Sequence, residues 1–129
     1  MAIPFSSAVP DNHPREGELR WSKSEWAIAR RAFDNALNQK LQEAIQRAKQ
    51  MAGEVKEPYE LWDLEQYLTQ RRKEIDRKYK YRGSQLRFVF GTLLHEGRLT
   101  ERDLRGLRED KLEPIRYYAD FLAEVNVDE

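Results

Sequence analysis

Hydrophobic residues recur three or four positions apart along two long stretches of the chain. In the first stretch, apolar positions begin at Trp26 and continue at helical spacing to Met51. Ser22, with Glu25 three residues later, has the pattern of a capping box, and Gly53 ends the apolar stripe. This pattern predicts one long amphipathic helix between the two capping signals.

The second stretch runs from Leu61 to Arg82 and carries dense charges that alternate in sign. Pro58 suits the first turn of a helix, and Gly83 predicts where that helix ends. The members of its heptad-spaced apolar seam are Leu61, Leu64, Leu68, Ile75 and Tyr79. A helix with such a seam is suited to packing against another helix, or against another protein.

Shorter helices are predicted after Gly83. Ser84 is positioned to cap a third helix that closes at Gly97, and Thr100 with Asp103 predicts a further capped turn. Pro114 fits the start of a last helix.

No strand pattern competes with the helical spacing, so the sequence predicts an all-α fold. We expect a flexible tail over 1–18 and an elongated antiparallel hairpin of two long helices over 19–82. A small helical head is expected over 83–125.

The length of the first helix argues for a homodimer. A helix from Ser22 to Met51 spans about 45 Å, whereas a compact domain of this size has a radius of gyration of about 14 Å. A sharp kink would need Pro or Gly, and the helix contains neither. Apolar stripes left uncovered favour two hairpins packed as a four-helix arrangement. The predicted interface residues are Phe33, Leu37, Leu61, Leu64, Leu68 and Ile75.

Composition narrows the range of possible functions. The 129 residues contain 23 basic and 23 acidic side chains, so the net charge is zero and gives no general attraction to nucleic acid or anionic lipid. The chain has no Cys, and it has no apolar run long enough to cross a membrane. We therefore expect a soluble cytoplasmic protein without thiol chemistry.

Nothing in the sequence predicts an enzyme, a metal site or a cofactor. His13 and His95 have no ligand partner at metal-binding spacing. Glu74 and Asp76 are two residues apart and so point to different sides of a helix. The six Gly are scattered singly, which excludes a Gly-rich phosphate loop.

Side chains suited to binding another protein are concentrated on the second helix instead. Trp62 lies beside the apolar seam, and helical spacing places Glu65, Gln66 and Arg72 on its side. Trp62 could equally widen the core stripe. The basic run from Arg71 to Arg82 carries five positive charges in excess, which suits an acidic partner or a solvated face laced by ion pairs. A nucleic-acid partner is disfavoured by the net charge and by the absence of a reading motif.

The sequence resembles the fluorescence recovery protein family over about residues 21–116. The residues that carry the resemblance are Trp21, Ser22, Phe33, Leu61, Trp62, Leu64, Tyr67, Leu68, Arg72, Glu74, Ile75, Asp76, Lys78, Tyr79, Arg82, Phe88, Val89, Phe90, Leu93, Glu96 and Gly97. The resemblance implies an all-α homodimer without a cofactor. Such proteins bind light-activated orange carotenoid protein, accelerate its return to the inactive form, and so restore phycobilisome fluorescence.

The resemblance also implies roles for individual residues. Trp62 and Arg72 match the patch that faces the carotenoid protein, Leu61 matches the dimer interface, and Phe88 matches a functional position in the head. With the neighbouring side chains, the predicted partner-binding set is Trp62, Glu65, Gln66, Arg72, Asp76 and Phe88.

The chain departs from the family pattern at several positions, which marks it as a divergent member. Glu65 and Gln66 stand where active members have His and Asp. Arg77 stands where Gly is common, and Pro114 where the head has Lys. The dimer seam is intact, but the partner-facing chemistry is altered, so a different protein partner is the alternative prediction.

Overall fold

The computed structural model describes residues 20–127, and within this range the chain forms α-helices and short 3-10 helices but no strand. The helices are α1 (Lys23–Glu54), α2 (Leu61–Lys78), α3 (Leu86–His95) and α4 (Glu109–Val127), with 3-10 turns at Pro58–Glu60 and Glu101–Leu104. The all-α prediction is confirmed. The predicted tail over 1–18 lies outside the described residues.

The helices form two compact units. Within the described range, one unit joins residues 20–36 with residues 80–127, and the other spans Leu37–Tyr79. We call them the first and the second unit. Helix α1 therefore contributes its beginning to the first unit and its remainder to the second. The hairpin over 19–82 and the head over 83–125 stay predictions as domains.

The predicted capping box at the start of α1 is confirmed. The Ser22 hydroxyl accepts a hydrogen bond from the Glu25 backbone N–H at 3.2 Å. The Glu25 carboxylate in turn accepts one from the Ser22 backbone N–H at 3.0 Å. Two backbone donors that the helix itself cannot satisfy are thereby paired.

The Glu25 side chain also joins α1 to the start of α4 in the first unit. Its carboxylate accepts the Arg108 backbone N–H at 3.0 Å and lies 3.2 Å from the Lys111 ammonium. Both side chains are 2% exposed. Burial alone would raise the pKa of Glu25, but the hydrogen bonds from Ser22, Arg108 and Lys111 outweigh it and lower the pKa.

Breaking this buried ion pair is expected to destabilise the fold. Replacing Lys111 with Met leaves the Glu25 carboxylate buried without its cation, which costs about 3 kcal/mol of the free energy of unfolding, the lower end for such pairs. The expected loss is at this lower end because two backbone N–H groups still donate to Glu25. Urea unfolding at one fixed protein concentration measures the loss.

The matched control for this experiment is Lys49→Met, since Lys49 lies exposed on α1. We expect its unfolding free energy to stay within about 0.5 kcal/mol of the original protein. If both variants unfolded at the same urea concentration, the ion pair would contribute nothing to stability.

Helix α2 ends earlier than the sequence predicted. It stops at Lys78, whereas Gly83 was expected to end it. Aromatic packing explains the difference, because the Tyr81 ring lies in the core of the first unit. It packs edge-on against Phe33 at 5.0 Å, contacts Trp26 at 5.9 Å and donates its hydroxyl to the Trp26 carbonyl.

Two predicted helix starts were wrong. The residue at the N-cap position of α3 is Gln85, and its side chain makes no capping hydrogen bond. Ser84 is therefore not the cap of α3. Helix α4 begins at Glu109, five residues before Pro114. Two acidic residues in the first turn favour that earlier start through the helix dipole, although Pro114 cannot donate a backbone hydrogen bond. The predicted turn at Thr100 and Asp103 is confirmed as a reciprocal capping box.

Helices α3 and α4 approach each other closely at Gly91. A Cβ atom at this position would lie 2.9 Å from Tyr118 Cδ2 and 3.0 Å from the Ile115 carbonyl oxygen. Only glycine fits without moving α4. The close approach sets how α3 and α4 pack, and thereby the exposed surface that the two helices form together.

Candidate protein-binding surface

In the second unit, the chain reverses between α1 and α2, and an ion pair joins the two helices. Lys40 Nζ lies 2.6 Å from Glu74 Oε1, and Arg71 lies 3.5 Å from the other oxygen of Glu74. Lys40 precedes the end of α1 by about as many residues as Glu74 follows the start of α2, which is the pairing of an antiparallel hairpin. The hydrogen bond from Lys40 outweighs partial burial and lowers the pKa of Glu74.

The helical twist of α2 places its side chains on different sides of the helix. Successive residues turn by about 100°. Ile75 is buried and Leu64 half-buried, on the side that carries Arg71 and Glu74. Leu61 and Leu68, seven residues apart, lie at the edge of that side and are exposed by 50% and 45%. We call Leu61 and Leu68 the apolar strip.

The predicted dimer residues thus differ in burial, and Leu64, which is half-buried, lies between two groups. Phe33, Leu37 and Ile75 are buried within the single chain, so they have little surface left to offer a second copy. The apolar strip remains exposed, and Ile45 of α1 in the same unit is 44% exposed. Apolar side chains this exposed are candidates for an interface.

Trp62 lies outside the core. Its side chain is 62% exposed, which favours a surface role over the alternative that it widens the core stripe. Glu65, Gln66, Arg72 and Asp76 are exposed on the same helix. The structure therefore brings five of the six predicted partner-binding residues onto one exposed part of α2.

The sixth residue, Phe88, lies in the first unit. Its ring is half-buried and packs edge-on against Tyr118 at 5.0 Å, and the Arg87 guanidinium lies 4.6 Å from the ring centre. The residues around it enclose a cleft of about 610 Å³ lined by Arg87, Phe88, Asp110, Glu113, Pro114, Tyr117 and Tyr118. Tyr117 at its edge is 74% exposed.

This cleft was not predicted as a site, although the sequence pointed to Phe88 and Pro114 separately. Tyr117, Tyr118 and Phe121 place three aromatic rings within two turns of α4. That density of rings exceeds what one buried stripe requires, and it is the signal that could have revealed the cleft.

Within residues 20–127, no group of His, Cys, Asp and Glu is arranged to hold a metal ion. Over the same range, no helix is long and apolar enough to cross a membrane.

Comparisons with known proteins agree with this architecture. Residues 21–119 match the family described as photoprotection regulator fluorescence recovery protein. The fluorescence recovery protein of Synechocystis sp. PCC 6803 is 33% identical over 102 residues, which cover 79% of this chain and 94% of that protein.

Solved structures give the same result. The Fremyella diplosiphon fluorescence recovery protein superposes with a TM-score of 0.72 at 37% identity, and the match covers 78% of this chain and 98% of that one. The Synechocystis structure gives a TM-score of 0.72 at 33% identity with the same coverage. These relatives are named as regulatory proteins and not as enzymes. The chain belongs to the fluorescence recovery protein family of photoprotection regulators.

Proposed function

We propose that this protein is a non-catalytic, dimeric regulator that binds light-activated orange carotenoid protein. Binding accelerates the return of the carotenoid protein to its inactive form and so ends quenching of the phycobilisome. Membership of the family supports the regulatory role. The observation that carries the binding step is the 62% exposure of Trp62 on α2, among polar and charged side chains.

The proposed mechanism is a shift of populations. A binding protein changes a conformational equilibrium or its rate only if it binds one state, or the transition state, more tightly than the other. A Trp side chain supplies a large rigid contact area, and Arg72 can pair with a carboxylate in two parallel hydrogen bonds. Both kinds of contact depend on the shape of the partner, so they can distinguish two of its conformations without any covalent step.

The apolar strip supports the dimer in this proposal. Leu61 and Leu68 present aliphatic surface that water would otherwise contact, and a symmetric dimer covers such a strip twice with one interface. Trp62 follows Leu61 directly, so it lies about 100° around the helix from it. A dimer formed through the apolar strip therefore leaves Trp62 available to a third molecule.

Phe88 and its cleft provide a second contact in the proposal. The cleft is lined by aromatic rings together with the basic Arg87 of α3 and the acidic Asp110 and Glu113 of α4. Such a site suits a partner side chain that is apolar with a charged neighbour.

The test mixes purified protein with photoactivated orange carotenoid protein and follows the decay of the red form by absorbance. We expect the decay to accelerate with protein concentration until it saturates, because a bound complex forms. An unchanged decay at excess protein would remove this function. The alternative, the same surface acting on a different protein, would then be favoured by the altered residues Glu65 and Gln66.

A further inference from the structure

The cations of α2 divide into those that interact with Glu74 and those that do not. Arg71 lies 3.5 Å from Glu74, and Lys78 lowers the pKa of Glu74 through its charge. Arg72, Lys73 and Arg77 are exposed and, within residues 20–127, make no ion pair. Three positive charges on α2 are therefore left for solvent or for a partner.

The helix places two of these cations, Lys73 and Arg77, in line with Trp62. At about 100° per residue, Trp62, Gln66, Lys73 and Arg77 fall within an arc of about 60°. We call these four residues the docking stripe. At 1.5 Å per residue, Lys73 lies about 16 Å and Arg77 about 22 Å along the axis from Trp62. The apolar strip lies about 100° or more around the helix, so a dimer formed through it leaves the docking stripe uncovered.

We propose that the docking stripe binds an acidic, extended or helical segment of a partner protein, with the indole of Trp62 in an apolar contact and Lys73 and Arg77 paired with carboxylates. The proposal deepens the proposed function, since it names the chemistry of the partner at the same surface. A segment that fits would carry an apolar side chain and, about 16–22 Å away, a pair of Asp or Glu residues.

Charge complementarity favours a protein over a nucleic acid. A nucleic-acid site neutralises many phosphates with a continuous basic surface. Here Glu65 and Asp76 lie beside the docking stripe and would repel phosphates, and the net charge of the chain is zero. A folded acidic protein can place its few carboxylates opposite the two cations and direct neutral or basic groups toward Glu65 and Asp76.

The test measures binding of a fluorescein-labelled peptide that carries one Leu and, about 16–22 Å away, a run of Glu residues. Binding is followed by fluorescence anisotropy, with the full chain and without any carotenoid protein. We expect saturable binding at low ionic strength that weakens as added salt screens the charges. In the double variant Lys73→Glu/Arg77→Glu, we expect the dissociation constant to rise by about tenfold or more, because attraction becomes repulsion.

The control is Lys49→Glu/Lys56→Glu, which makes the same change of charge at two exposed positions of the same unit. It should bind the peptide with an affinity close to that of the unchanged chain. Equal weakening in both variants would show that net charge alone governs binding, and would overturn the proposal. Absence of peptide binding, or tighter binding of a duplex DNA of equal charge, would overturn it as well. These readouts are independent of the carotenoid-protein assay, so either proposal can fail alone.

Discussion

Replacing Leu61 with Glu is expected to separate the proposed dimer into single chains of 15.4 kDa. A symmetric interface contains each residue twice, so the substitution places two carboxylates in one apolar contact. Burying a carboxylate without a partner costs several kcal/mol, which exceeds what a small interface can tolerate. Light scattering on dilute protein measures the mass.

The position of Leu61 allows this substitution without a loss of helix stability. It is the first residue of α2, and an acidic side chain in the first turn is favourable to the helix dipole. Circular dichroism should therefore show an unchanged helix content in the variant. Gln70→Glu is the matched control, since Gln70 is exposed on the same helix and away from the apolar strip. A Leu61→Glu variant that kept twice the mass of one chain would contradict the proposed interface.

Local capping patterns predicted a good part of the fold. The reciprocal hydrogen bonds of Ser22 and Glu25, and those of Thr100 and Asp103, depend on residues three apart, so the sequence alone contained the information. The predictions that failed depend on distant contacts. Tyr81 leaves the helical path because Trp26 and Phe33, about fifty residues away, hold its ring.

For the candidate site, too, the sequence predicted what depends on local spacing but not what depends on distant contacts. Helical spacing alone placed Trp62 and its neighbours on one side of α2, and the structure leaves them exposed. Spacing could not show that Lys40 of α1 pairs with Glu74, or that Arg71 contacts Glu74 while Lys73 and Arg77 do not. Nor could it show the cleft around Phe88, which requires the close approach of α3 and α4.

Replacing Trp62 with Ala is expected to abolish most of the acceleration of the carotenoid protein. Exposed Trp residues at the centre of an interface commonly contribute 2 kcal/mol or more, which corresponds to about thirtyfold weaker binding. The fold and the mass should not change, because the side chain is 62% exposed and Ala favours a helix. Trp62→Phe should retain part of the effect, and Lys49→Ala should retain all of it.

The decisive measurement is the decay of the red form of orange carotenoid protein in the presence of the Trp62→Ala variant. The protein concentration is set where the unchanged chain accelerates the decay to half its maximum. We predict a decay rate close to that of the carotenoid protein alone, from a variant whose mass by light scattering still equals two chains. A decay as fast as that with the unchanged chain would contradict the assignment of this exposed side of α2 as the protein-binding surface.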